Sequence, residues 1–433
     1  MARHTKTTPR PVARKRKTRS RNTRTIKILL FVIALFAAFM LGFVLRGTPV
    51  LLDSVGFPSS ITGVVHDDAD ANAASKDAYN SLSARISEVE DILASDSLDS
   101  YDLETITGDV LTAFASASGD PYVRYYSPAR YQELLSTNNE GYAGIGVLFS
   151  EYNGQAYAVD VFEGAPAQLA GVQVGDFVVA VDGDRAQSWS RSEIASLLSQ
   201  RSGQSVVMTW RRPESLESDG GREFTTTLQC AEFDEPNVTT EYYEDNRVGY
   251  VRVKQFTQNS ASLVEEALSA LDSQGAAAYV LDLRDNPGGY LSQAVDIASL
   301  FMNSGTVVEI KTIDGQSAKA ASGKTATSKP LIVLINKNTA AAAEVVAAAL
   351  KDSQRATLVG VTTLGKGSVQ VLHELSYGGA IRYTAAYYLT PEGHAIDQVG
   401  VTPSVTVDTG ENDDAQKQYA IEVASSHTES TTE

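Results

Sequence analysis

The chain is 433 residues long, enough for two or three domains, with 53 acidic against 36 basic side chains and a net charge of −17. One cysteine and five scattered histidines exclude an internal disulfide and a thiolate metal cluster, and no HExxH-like spacing occurs, so neither metal nor cofactor is expected. The charge is uneven: residues 1–27 hold eleven Lys and Arg and no acid, which leaves the body at −28 and argues against a nucleic-acid partner.

Residues 28–45, ILLFVIALFAAFMLGFVL, are 18 uncharged residues, close to the roughly 20 that cross a bilayer. The basic arm before them predicts a cytoplasmic N-terminus, and no small-residue cleavage site follows Leu45. The expectation is an uncleaved single-pass anchor in the cell membrane with an extracytoplasmic body. Residues 46–74, rich in Gly, Pro, Asp and Ala, read as a stalk. Residues 75–140 read as helical, with Leu82, Ile86, Val89 and Ile92, then Leu103, Ile106, Val110 and Leu111, at three- and four-residue spacing. Such helices pack on each other or join two copies as a homodimer.

Residues 141–230 break into short strands separated by Gly and Pro turns, among them GYAGIGVLF, QAYAVDVF and DFVVAVDG. Cys230 ends the last of these strands and reads as a packed thiol. From 231 to 408 strands and helices alternate, predicting an α/β layer on a largely parallel sheet closed by antiparallel strands. Residues 409–433 read as an acidic tail with one short helix, DAQKQYAIEVA, before a disordered end.

Within 141–230, Gly144 and Gly146 let successive backbone N–H groups turn toward one point, which suits the carboxylate of an extended peptide. The strand from Val147 then offers an edge for strand addition. Together with GAPAQLAGVQVGDFVVAVDGD downstream, this segment resembles a PDZ domain. The resemblance implies that Gly144, Ile145, Gly146 and Val147 bind a peptide C-terminus.

Three later stretches occur in order: GYVRVKQF with LDLRDNPGG at 249–289, PLIVLINKNTAAAAEVVAAALKDSQRATLVG at 330–360, and TTLGKGSVQ at 362–370. With the PDZ-like module upstream they resemble the C-terminal processing peptidases, membrane-associated serine endopeptidases of Ser–Lys type in the S41 class. The resemblance spans roughly 75–425 and implies a ClpP/crotonase-like α/β peptidase layer acting on unstructured or C-terminal protein segments. It places the general base on Lys366, its orienting glutamine on Gln370, and oxyanion-hole N–H groups on Gly288, with Gly289 beside it, and on Ala342. A strand through Lys366, Ser368 and Gln370 would point all three to one face. Burial would depress the lysine pKa, as a neutral amine base requires.

The sequence departs from the family at the nucleophile. The family's attacking serine falls on Ala341, and Ala343 replaces another frequent serine. A methyl group cannot attack a carbonyl, so the expectation is a catalytically impaired peptidase that still binds protein C-termini, a pseudoenzyme. Two alternatives stay open: an active endopeptidase using a displaced hydroxyl, Thr339 or Ser368, and a non-catalytic peptide-binding scaffold. His373 beside Glu374 reads as structural.

Overall fold

The computed structural model describes residues 81–135, 143–185, 188–232, 235–408 and 414–429. The basic arm, the apolar span 28–45 and the stalk lie outside these residues; among the described ones no helix is long and apolar enough to cross a membrane. The chain divides into two units, Met1–Ser100 and Tyr101–Glu433. The described part of the first is helix α1, Leu82–Asp96, capped by the Ser81 hydroxyl, which accepts from Ala84 N at 3.2 Å. Its apolar residues Leu82, Val89 and Ile92 are all more than half exposed.

The second unit opens with helix α2, Leu103–Ser116, strand β1, Arg124–Tyr126, and helix α3, Pro128–Leu135. Gly119 and Pro121 in SGDPYVRYYSP break the helical run after α2, and the Tyr-rich run that follows is extended as β1. β1 pairs with a strand some 255 residues later, a partner that local pattern cannot reveal.

A β-rich module follows. Strand β2 (Ala143–Gly144) leads into β3 (Val147–Tyr152), β4 (Gln155–Val161), short helix α4 (Pro166–Leu169), β5 (Phe177–Val181), helix α5 (Arg191–Ser199), β6 (Ser205–Arg212) and β7 (Arg222–Gln229). Strands β3 to β7 form one antiparallel sheet in chain order, with β3 at its edge. Its core is built on Ile145, Val147, Ile194, Met208 and Trp210, and includes buried Cys230.

The remaining strands are β8 (Ala231–Glu232), β9 (Val238–Tyr243), β10 (Val248–Val253), β11 (Ala278–Asp282), β12 (Thr306–Thr312), β13 (Gly315–Ala320), β14 (Leu331–Ile335), β15 (Thr357–Gly360), β16 (Ser368–Glu374), β17 (Ala380–Leu389) and β18 (Val405–Thr406). Helices α6 (Ser260–Gln274), α7 (Leu291–Phe301), α8 (Ala342–Asp352) and α9 (Ala415–Glu429) complete the unit. One sheet has the order β18-β15-β14-β11-β10-β9, parallel except for β9. β11 and β14 are buried along their whole length, as strands covered on both faces must be. Side chains from α6, α7 and α8 cover one face. The other is covered by Ala420, Ile421 and Ala424 of α9. The helix expected at DAQKQYAIEVA is present and runs from Ala415 to Glu429, five residues beyond that segment; residues 430–433 lie outside the described ones. A second sheet has β1 and β12 on one edge of β17 and β16 on the other.

Candidate functional site

The alanine run forms the turn from β14 into α8. Helix α8 is buried all round from Ala342 to Leu350, and small side chains let it sit inside the layer. Ala341, just before it, has φ 51° and ψ −120°, a conformation that L-residues rarely adopt. Its N–H donates to Glu344 Oε2 at 2.8 Å, and its carbonyl accepts from Glu344 N at 2.9 Å. The N–H of Ala342 finds no acceptor among the described residues and stands at the positive end of the helix.

The Asn286-Pro287-Gly288-Gly289 turn packs on this corner. A Cβ on Gly288 would lie 2.8 Å from Ala342 N and 3.0 Å from Ala341 Cβ, so only glycine permits the approach. Gly289, at φ 148°, would put a Cβ 2.0 Å from the Phe256 carbonyl oxygen. The Gly288 N–H, expected to be an oxyanion donor, donates to Asn286 Oδ1 at 2.8 Å. In this structure it is committed to its own turn.

Contrary to expectation, Lys366 does not lie on a strand with Gln370. It sits in the loop before β16, and a register shift between Val369 and Gln370 breaks the simple alternation. The Gln370 amide donates to Ser368 Oγ at 3.1 Å. The Lys366 ammonium instead lies 3.8 Å from Glu151 Oε1 and 5.7 Å from the Tyr122 ring centroid. Burial pushes its pKa below the ordinary lysine value, while Glu151 works in the opposite direction. Burial pushes Glu151 up, but Lys366, Arg382, the Arg191 N–H and Arg124 more than offset this and hold it at about 2.

Glu344 joins the two halves of the site. One oxygen accepts from the N–H groups of Ala341 and Lys366, each at 2.8 Å; the other accepts from Thr363 Oγ1 at 2.6 Å and Gly365 N at 2.7 Å. Burial pushes this carboxyl up to about 7 against the pull of those four donors. Neither glutamate was singled out from sequence. Glu344 had a usable signal, an acid three residues after a helix start, where it reaches back to the cap. Glu151 had none, because β3 and Lys366 are brought together only by the fold.

The displaced hydroxyls are differently placed. Thr339 is fully buried, and its hydroxyl donates to the Leu283 carbonyl at 2.8 Å while accepting from Asn336 N at 3.0 Å. Ser368 is 5% exposed and faces Gln370 on β16.

In the upstream module the carbonyls of Ile145 and Gly146 accept from Ala167 N at 3.1 Å and Phe162 N at 2.9 Å. In a trans peptide this turns the Gly146 N–H the opposite way. Gly144 pairs with Ala231, and the side chains of Ile145 and Val147 are fully buried. The two parts of the unit meet through Arg191, which donates to the Pro287 carbonyl at 3.0 Å, and through Arg382, whose Nη2 lies 3.3 Å from Glu151 Oε1.

Comparison with known proteins agrees with this architecture. The model of peptidase family S41 matches residues 247–407, and that of the PDZ domain matches 157–212. A carboxyl-terminal-processing protease of Synechocystis is 37% identical over 296 residues, covering 67% of this chain and 68% of that protein. The chain belongs to peptidase family S41. Carboxy-terminal processing protease CtpA of Bacillus subtilis is 30% identical over 72% of this chain and 66% of its own length. Among solved structures, a photosystem II D1 C-terminal processing protease superposes with a TM-score of 0.60 at 27% identity, covering 78% of this chain and 90% of that one. The S41 match encloses Gly288, Ala341, Ala342, Lys366 and Gln370.

Proposed function

We propose that this S41 member is a membrane-anchored, extracytoplasmic protein that binds protein C-termini through its PDZ domain and is impaired in cleaving them. Ala341 carries the reading: a turn held in a strained conformation, with Gly288 against it and the Ala342 N–H beside it, presents a methyl group where a nucleophile would stand. The preserved frame supports descent from a carboxyl-terminal-processing protease, which is what the similar proteins are named. The base is set back as well, since Lys366 faces Glu151 and Gln370 is turned to Ser368. In this reading Lys366 is the remnant general base, Gln370 its orienting partner, and Ala342 with Gly288 the oxyanion donors, once the Gly288 N–H is released from Asn286.

A displaced nucleophile is disfavoured at Thr339, whose hydroxyl is buried and bonded on both sides. Anchoring by 28–45 and pairing of two copies through the helical region belong to the same reading. Protease protection of intact cells checks the first, and sedimentation of the full chain checks the second.

The deciding experiment is Ala341→Ser, assayed on a loosely folded protein substrate. A serine in a retained frame should raise hydrolysis by at least about a hundredfold over the parent chain. Efficient cleavage by the parent protein, abolished by Lys366→Ala, would overturn the proposal.

A further inference from the structure

β16 is an edge strand: β17 pairs with one side of it, and among the described residues no strand pairs with the other. The hairpin closure sets its phase. Leu375 N donates to the Gly379 carbonyl at 3.0 Å, so Leu375 and Gly379 are a hydrogen-bonded pair. Antiparallel pairs alternate. In the register Glu374↔Ala380, Leu372↔Arg382 and Gln370↔Thr384, the outward-facing residues of β16 are therefore Gln370, Leu372 and Glu374. β17 agrees, because the Thr384 N–H turns away from β16 and donates to Asp120 Oδ2 at 3.0 Å. Among the described residues nothing takes up the N–H and C=O groups that Gln370, Leu372 and Glu374 turn outward. Leu372 is 39% exposed, so the edge is open.

This edge begins two residues after Lys366, and the Lys366 ammonium touches Glu151 near the end of β3, the edge strand of the PDZ domain. This contact brings the buried edge strand of the PDZ sheet to the start of β16. A peptide with its carboxylate at Gly144–Gly146 runs antiparallel to β3, and four residues from Val147 bring it about 13 Å along, to Glu151 and Lys366. The upstream part of the same chain then arrives beside β16.

We propose that β16 is a second peptide subsite, where the upstream part of an extended polypeptide adds as a strand through the outward N–H and C=O of Gln370, Leu372 and Glu374. The occupant is an unfolded segment of a protein whose C-terminus lies in the PDZ domain. The proposal rests on the peptide-binding reading above. It adds that recognition on the peptidase side is by backbone, and so tolerant of sequence.

The test titrates the full-length protein, with Ala341 in place so that the peptide stays intact, with a labelled unstructured peptide long enough to reach both edges. Leu372→Pro removes one outward N–H and no bond to β17, a change that edge strands accept. It should weaken binding at least about tenfold at an unchanged melting temperature, while Leu372→Ala, which keeps the N–H, stays within about twofold. Unchanged affinity in Leu372→Pro, or an equal loss in both variants, overturns strand addition at β16. Peptides N-methylated at successive upstream positions read the same contact without altering the protein: losses at alternate positions support it, and a flat profile overturns it. The parent reading is scored separately by free against amidated C-termini. A free-carboxylate preference with no Leu372→Pro effect removes only the β16 subsite, whereas no binding of either peptide removes both.

Discussion

Ala341 holds a costly backbone conformation while carrying only a methyl group. A left-handed, extended-ψ backbone at a non-glycine residue costs on the order of 1–3 kcal/mol, and here it persists because Glu344 and the Asn286–Gly289 turn hold the corner. The strain predicts that Ala341→Gly stabilises the protein. Relief of the positive φ should exceed the roughly 0.5–1 kcal/mol that glycine loses in unfolded-state entropy, for a net gain of about 1 kcal/mol in chemical denaturation. An unchanged or lower stability would mean that the corner is relaxed as alanine. At Glu344, all four hydrogen bonds come from donors, so the ionised carboxylate is the form that satisfies them, while burial favours the neutral acid.

Among the elements, α9 shows its helix in the sequence but not its docking. Its stripe of Ala420, Ile421 and Ala424 is too short and too small to announce a docked helix, yet it closes the sheet face formed by Val248, Val280, Ile332 and Leu334. Arg284 fastens its start, with Nη1 at 2.6 Å from Asp414 and Nη2 at 2.6 Å from buried Asp282. Ile421→Asp puts an unpaired charge against that face and should cost roughly 3 kcal/mol, read as a lower denaturation midpoint. If the midpoint does not move, α9 is only loosely attached. The parallel strands were easier to find, since β14 is a continuous apolar run, and β11 is one up to its last residue, Asp282.

Across the whole molecule the decisive contact joins the two domains. Glu151 belongs to the PDZ sheet, and Lys366 and Arg382 to the peptidase part. Its folded pKa of about 2 lies below its ordinary 4.5, so its contribution to stability is fully present above about pH 4.5 and is lost as pH falls toward 2. Glu151→Gln should flatten the acid limb of the stability profile over that window. It should also lower the Lys366 pKa further, because the carboxylate that opposes burial is gone; an NMR titration of the lysine side chain reads this directly. A Lys366 pKa that stays put would show that the cross-domain contact does not govern its protonation.

The amino-acid sequence by itself determined the domain order, the PDZ and S41 motifs, and the fact that alanine stands at position 341, because these are local patterns with a fixed chemical meaning. The NPGG turn and the alanine helix could each be read from a short stretch of residues, whereas the Lys366 motif reads as strand and folds as a loop. Only the tertiary structure decided which groups face one another. It set Glu344 between Ala341 and Lys366, gave Lys366 a partner 215 residues earlier, and turned the Gly288 N–H to Asn286. Burial and long-range pairing set these contacts, and neither can be read from the neighbouring residues in the chain.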